Sequence, residues 1–184
     1  MGIPTRYWVT SGIGESDVSQ LVAMDKAFMD SGLGYQNHVV VSSVPPLERI
    51  YPQVRKDKGI TFVPVDDILV MLPFSEVIYV VRAMKTGRKG ETLCSSISLA
   101  KISSVIEGNM NQCFLAYEST GSDLRDTELE SLAGLIEMVQ ERNAIVDESW
   151  GNDGYETISS SLKVDKKYGC SVVFVVFDPF TYKF

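Results

Sequence analysis

The sequence predicts a single-domain, layered α/β fold, and three observations carry that reading. Strand-like runs outnumber helical ones. Each of the two helical segments has one apolar face, which suits a helix that covers a sheet rather than one inside a bundle. No internal repeat, low-complexity tract or interdomain linker interrupts the 184 residues, a length that can bury one substantial core.

In chain order, residues 6–10 read as a first strand, after which Gly12 and Gly14 loosen the backbone before an amphipathic helix over residues 17–30. Asp17 and Gln20 resemble a capping pair, and Gly32 and Gly34 stop the helix. Residues 38–43 form a strand that ends in a serine pair, and residues 52–59 form a polar loop. Strand-like runs follow at residues 60–65, 77–84, 92–100 and 112–119. The second helix covers residues 124–142, with Asp123 as its cap and Leu132, Leu135, Ile136 and Val139 on one face. A glycine turn at residues 151–154 leads into strands at 155–164 and 168–177.

Composition narrows the function. A net charge of −7 and a pI near 4.8 repel phosphate backbones, and the short run Arg55-Lys56-Asp57-Lys58 does not offset them, so no nucleic-acid partner is expected. The longest apolar run, residues 172–177, is too short to cross a bilayer, and residues 1–10 lack the features of a signal peptide, so no membrane association and a cytoplasmic location are expected. Cys94, Cys113 and Cys170 fit neither a metal-ligand pattern nor a disulfide framework. They read as buried free thiols, with a reactive thiol as the alternative. His38 is the only histidine, which removes the usual Ser-His-Asp, Cys-His and zinc arrangements. It reads as a packed or surface residue, or else as a proton carrier.

Three features could carry chemistry. Ser42 and Ser43 follow His38-Val39-Val40-Val41 and precede Val44-Pro45-Pro46, so two prolines restrict the backbone just after them. Such a bend either ends a strand or holds a self-cleavage site, in which the second hydroxyl attacks the preceding carbonyl and elimination leaves a pyruvoyl group. Asp25 falls four residues after Leu21 and three before Phe28, on the apolar stripe of the first helix. A carboxylate buried there must meet a cation, strong donors or a ligand. Arg6, Arg49 or Arg82 would make it structural, and a bound guanidinium would make it a receptor. Asn37, three residues after Gly34, reads by itself as a polar turn residue. The Gly12-x-Gly14-Glu15-Ser16 pattern before a helix lacks the lysine of a phosphate loop, and a plain helix entry explains it equally.

Further segments fall in a recognisable order: Ser11-Gly12-Ile13-Gly14-Glu15-Ser16, Met24-Asp25-Lys26-Ala27 through Ser31-Gly32-Leu33-Gly34, residues 37–46, Gly90-Glu91-Thr92 through Ile97-Ser98, and in part Ala116-Tyr117-Glu118. In these the chain resembles the pyruvoyl-dependent arginine decarboxylases. The resemblance implies a four-layer αββα sandwich and cleavage into residues 1–42 and 43–184. It also implies a pyruvoyl cofactor made from Ser43, with no metal and no pyridoxal phosphate, and a homotrimer with active sites between neighbours. The implied substrate is arginine or a similar cationic amino acid, lost as carbon dioxide and agmatine through a Schiff base. Ser42 would supply the attacked carbonyl, Asn37 would help hold the oxyanion, and Asp25 would bind the distal cation.

The chain departs from that pattern at Ala116, where members of the family carry the glutamate that returns a proton. If residues 112–119 form a strand, Glu118 shares a face with Ala116, about 7 Å along. Glu118 is then either a substitute acid or a surface or salt-bridged residue. Two functions stand: a self-processing decarboxylase, and a non-catalytic or altered-specificity binding or assembly homologue.

Overall fold

The run of residues 172–177, apolar throughout and flanked by Ser171 and Asp178, becomes the centre of the molecule. The computed structural model describes residues 3–46, 48–50, 55–57, 59–65, 68–106, 109–180 and 182–183. In chain order the elements are β1 (Ile3–Pro4), β2 (Arg6–Ser16), α1 (Gln20–Ser31), β3 (Asn37–Val40), β4 (Glu48–Arg49), β5 (Arg55–Asp57), β6 (Ile60–Val65) and β7 (Ile68–Met71). They continue with β8 (Val77–Arg88), β9 (Thr92–Ile106), β10 (Asn109–Gly121), α2 (Leu124–Glu141), β11 (Ile145–Val146), β12 (Tyr155–Lys163), β13 (Tyr168–Phe177) and β14 (Tyr182–Lys183).

The first large sheet has the order β3-β8-β13-β2-β4, antiparallel across β8, β13 and β2 and parallel at both edges. In the second, β9 pairs with β10 on one side and with β12 and β11 on the other, all antiparallel. A small sheet, β5-β6-β7, and the β1–β14 pair complete the strands among the described residues. Strand β13 is buried on both faces. Val172, Phe174 and Val176 join Ala23 and Ala27 of α1 in one core, whereas Val173, Val175 and Phe177 join Ile97, Leu99, Phe114 and Ala116 of the second sheet in another. A third core sets Leu135 and Val139 of α2 against Ala100, Ile102 and Leu115. The chain is thus one compact domain, mostly sheet with two helices among the described residues. No helix among the described residues is long and apolar enough to cross a membrane.

Several boundaries differ from the expectations. Gly12 and Gly14 do not loosen the backbone; they lie within β2, and a Cβ on either would run into the α1 backbone at Ala27 or Ala23. They let the helix lie flat on the strand, which also removes the phosphate-loop reading, since that segment is a paired strand. The cap of α1 is Ser19, whose side chain accepts from the Val22 amide, so Asp17 and Gln20 are not the capping pair. Gly32 closes the helix at φ 85°, its amide donating to Met29, and Asp123 caps α2 as expected. Of the expected polar loop at 52–59, residues 52–54 and 58 lie outside the described residues, while Arg55–Asp57 pairs with β6. Strands β8, β9 and β10 run longer than their apolar patterns, and β3 ends earlier, at Val40.

The three cysteines are free and lie in strands, Cys94 and Cys170 buried and Cys113 half-buried. Burial pushes the Cys170 thiol up to about 11, which keeps it in its unreactive protonated form. His38 is a packed residue: its ring lies 5.0 Å from Phe28 and 5.2 Å from Phe174, and its Nε2 donates to the Leu33 carbonyl (3.0 Å). That bond commits one ring nitrogen, and desolvation by burial holds the imidazole pKa below its ordinary value.

Candidate active site

β3 leaves its sheet at the serine pair. The last ladder bond runs from the Val41 amide to the Val80 carbonyl (3.0 Å), and Val41 packs against the core between the two large sheets. The chain then tightens. The Val44 amide donates to the Ser42 carbonyl (2.8 Å), closing a three-residue turn around Ser43. The Ser43 carbonyl accepts from the amide of Ala116 on β10 (2.9 Å), so the other sheet catches the chain as it leaves its own. Beyond this point Pro45 and Pro46 offer no N–H, which leaves Val44 as the last amide before the double proline.

The side chains complete the geometry. The Ser43 hydroxyl lies 3.2 Å from Oε1 and 3.1 Å from Oε2 of Glu118, and donates to that carboxylate. Glu118 is opposite Ile97 in the β9–β10 register and two residues beyond Ala116, which is opposite Leu99. Ala116 is fully buried in the core between the sheets. Glu118 and Ser43 are both half-buried, and Ser42 is exposed. A polar pair thus stands at the margin of an apolar layer, with both carbonyls flanking the Ser43 nitrogen and α-carbon held by amides. This arrangement places a hydroxyl, a proton acceptor and a hydrogen-bonded carbonyl around one peptide bond. Those are the parts an acyl shift needs, so the residues present fit a pyruvoyl group made in place.

Ser42, Ser43 and Glu118 are brought together, whereas two other expected residues are not. Asn37 sits at the far end of β3, exposed, with its amide donating to the Ser75 carbonyl (2.9 Å). Five residues of extended chain separate it from Ser42, about 16 Å, so its side chain does not reach the attacked carbonyl of its own chain. Asp25 is not on the buried face of α1. That face is Ala23, Ala27 and Ser31, and Asp25 is exposed together with Val18 and Leu21, the latter at 72%. The reason is the glycine track on β2, which lets only small residues sit against it and turns the larger Leu21 outward. Two of the arginines suggested as internal partners are engaged elsewhere, Arg6 with Asp178 (2.6 Å) and Arg49 with Glu156.

The backbone donors of Val44 and Ala116 were invisible in the sequence, since every non-proline residue carries an N–H and only tertiary structure aims it. The one available signal was the double proline, which marks where such donors run out. A separate cavity of about 550 Å³, lined by Leu132, Gly151, Asn152, Tyr155, Glu156 and Thr157, contains none of these residues.

Comparison with known proteins adds independent information. The family described as pyruvoyl-dependent arginine decarboxylase matches residues 6–182, nearly the whole chain. A curated relative from Methanopyrus kandleri, named pyruvoyl-dependent arginine decarboxylase, is 48% identical over 46 residues. Those residues make up 25% of this chain and 30% of the relative's own length.

Proposed function

The chain belongs to the pyruvoyl-dependent arginine decarboxylase family, and from that membership we propose that it cuts itself between Ser42 and Ser43 and then decarboxylates arginine to agmatine and carbon dioxide. The observation that carries the proposal is the Ser43 hydroxyl donating to Glu118 while the Ser42 carbonyl is held by the Val44 amide. Cleavage there separates residues 1–42 from 43–184. The pyruvoyl group so made supplies an electron sink for loss of the substrate carboxylate. The remaining tasks fall to side chains. Glu118 holds the proton that returns to the former α-carbon, because Ala116 cannot.

Asp25 is the receptor for the substrate guanidinium, through a charge-assisted pair. It is exposed, and so is Asn37, so each serves the serine pair of a neighbouring copy in a trimer. The exposed Val18 and Leu21 beside Asp25 support a contact there. The order of the three apolar cores supports an αββα layering, which leaves the outer face of α1 available for such a neighbour. Buried Ala116 favours a second reading, a non-catalytic binding or assembly homologue that lacks the proton donor.

Intact mass separates these readings. Two chains are expected, the larger blocked at its N-terminus, and borohydride with arginine should add mass to that larger chain alone. Ser43→Ala should stay whole. Asp25→Asn should weaken arginine capture at least tenfold with its melting temperature unchanged. A wild type that remains one chain after prolonged incubation would sink self-processing, and a cut protein that never captures arginine would favour the binding homologue.

A further inference from the structure

Cleavage at Ser42–Ser43 needs a group that removes the proton from the attacking hydroxyl, and among the described residues the candidates near it are few. The chain's one imidazole, His38, is wedged between Phe28 and Phe174 with its Nε2 committed to Leu33. Asn37 lies at the other end of the strand and carries no basic group. Ala116, facing the pair through its amide, has none either. Glu118 remains, with both carboxylate oxygens within hydrogen-bond reach of Ser43 Oγ.

We infer that Glu118 is the general base that starts the self-cleavage, a role earlier than the proton return assigned to it above; the inference rests on the self-processing reading. Glu118 takes the Ser43 hydroxyl proton as Oγ attacks the Ser42 carbonyl carbon. The Val44 amide, already 2.8 Å from the Ser42 oxygen, faces the charge that develops there. The carbon–nitrogen bond then breaks, and the proton passes to the departing Ser43 nitrogen, leaving an ester between Ser42 and Ser43 Oγ with a free amine at Ser43. Elimination removes the Ser43 α-proton and breaks the Cβ–Oγ bond. Ser42 leaves as a carboxylate that keeps the former Oγ, and the dehydroalanine tautomerises and exchanges its nitrogen for a water oxygen, releasing ammonia. No oxidant or reductant is required.

One consequence distinguishes this site. The hydroxyl that holds Glu118 is consumed by the reaction, so completion of the cut frees the carboxylate beside the new carbonyl carbon. A single glutamate then serves two steps in succession, which explains how the chain functions with alanine at position 116.

The test follows cleavage rather than decarboxylation. Wild type, Ser43→Ala and Glu118→Gln precursors are incubated with and without hydroxylamine, and chain lengths are read by denaturing gel and intact mass. Glu118→Gln should cleave at least 100-fold more slowly than wild type, the lower end of what positioned proton transfer contributes. Hydroxylamine should release no fragment from it, because the ester never forms. Cleavage of Glu118→Gln at the wild-type rate would overturn the assignment while leaving self-processing intact. A Glu118→Gln protein that stalls as a hydroxylamine-sensitive ester would also overturn it, since the residue would then act only in the elimination. If Glu118→Gln does not fold, Glu118→Ala with added formate replaces it: restored cleavage supports the role, and a folded variant that formate leaves uncut overturns it. Wild type that never cleaves would remove the self-processing reading and this inference together.

Discussion

The two ends of β3 are held by different means, and the contrast sets the candidate site apart from a structural corner. At the Asn37 end the ties reach the turn that leads into the neighbouring strand: the Asn37 backbone amide donates to the Glu76 carbonyl, its side chain to the Ser75 carbonyl, and the Ser75 amide to the Tyr35 carbonyl. Tyr35 stacks on Phe74 at 4.4 Å, and Ser75 takes a left-handed φ of 63° to close the corner. At the Ser43 end the chain has left its own sheet, and β10 of the other sheet catches it. A corner built from its own neighbour is architecture. A peptide bond pinned between two sheets, with a carboxylate on the Ser43 hydroxyl beside it, is the arrangement that makes this end the candidate site.

The largest expected effect comes from disturbing the Ser43 end at Ala116. Ala116→Glu forces a carboxylate into a fully buried position beside Phe114, Tyr7 and Leu99. It should cost about 2–4 kcal/mol in a urea unfolding measurement made in a Ser43→Ala background, where the chain stays whole. In the processed protein the same change restores a carboxyl at the family's acid position, and arginine decarboxylation should rise at least tenfold. Stability and turnover should therefore move in opposite directions. Unchanged stability would mean that position 116 borders solvent rather than the core between the sheets.

A smaller effect lies between the two ends, at His38. Burial holds its pKa below the ordinary 6.5, so the fold prefers the neutral ring. The sign follows from linkage: stability is fully present above pH 6.5 and is lost as pH falls from 6.5 through the lower folded value, because the unfolded chain takes up a proton first. The unfolding midpoint in urea should fall as pH drops from 7 toward 5.5, and His38→Gln should flatten that slope. Since no other histidine contributes, a slope that survives the substitution would refute the assignment.

Much of this architecture was legible in the sequence, and the failures have physical causes. Strands with apolar alternation were found because burial on one or both faces writes itself into residue type, as in β6 and β13. Strand β7 went unread because Ile68, Leu69 and Met71 are exposed and set no pattern. The face of α1 was misjudged because hydrophobicity ranks Leu21 above Ala23. The glycines of β2 reverse that ranking by admitting the helix backbone so closely that only small residues fit. At the candidate site, spacing and resemblance pointed to Ser42, Ser43 and Glu118 one by one. Their joining was not readable, because it depends on the amides of Val44 and Ala116 and on the register of β10.

The smallest expected effect is at the other end of the strand. Asn37→Ala removes one exposed side-chain hydrogen bond to Ser75, which should cost at most about 1 kcal/mol. Within its own chain the amide is a strand's length from Ser42, so cleavage of a dilute, monomeric precursor should proceed at the wild-type rate. A deficit should emerge only as concentration rises and copies assemble, when wild type gains the neighbour's Asn37 and the variant does not. The measurement is the cleavage rate of both proteins over a range of concentrations, with assembly followed by light scattering. If Asn37→Ala slows cleavage equally in monomer and assembly while remaining folded, the two ends of β3 are coupled within one chain, and the corner at Asn37 is not separate from the candidate site at Ser43.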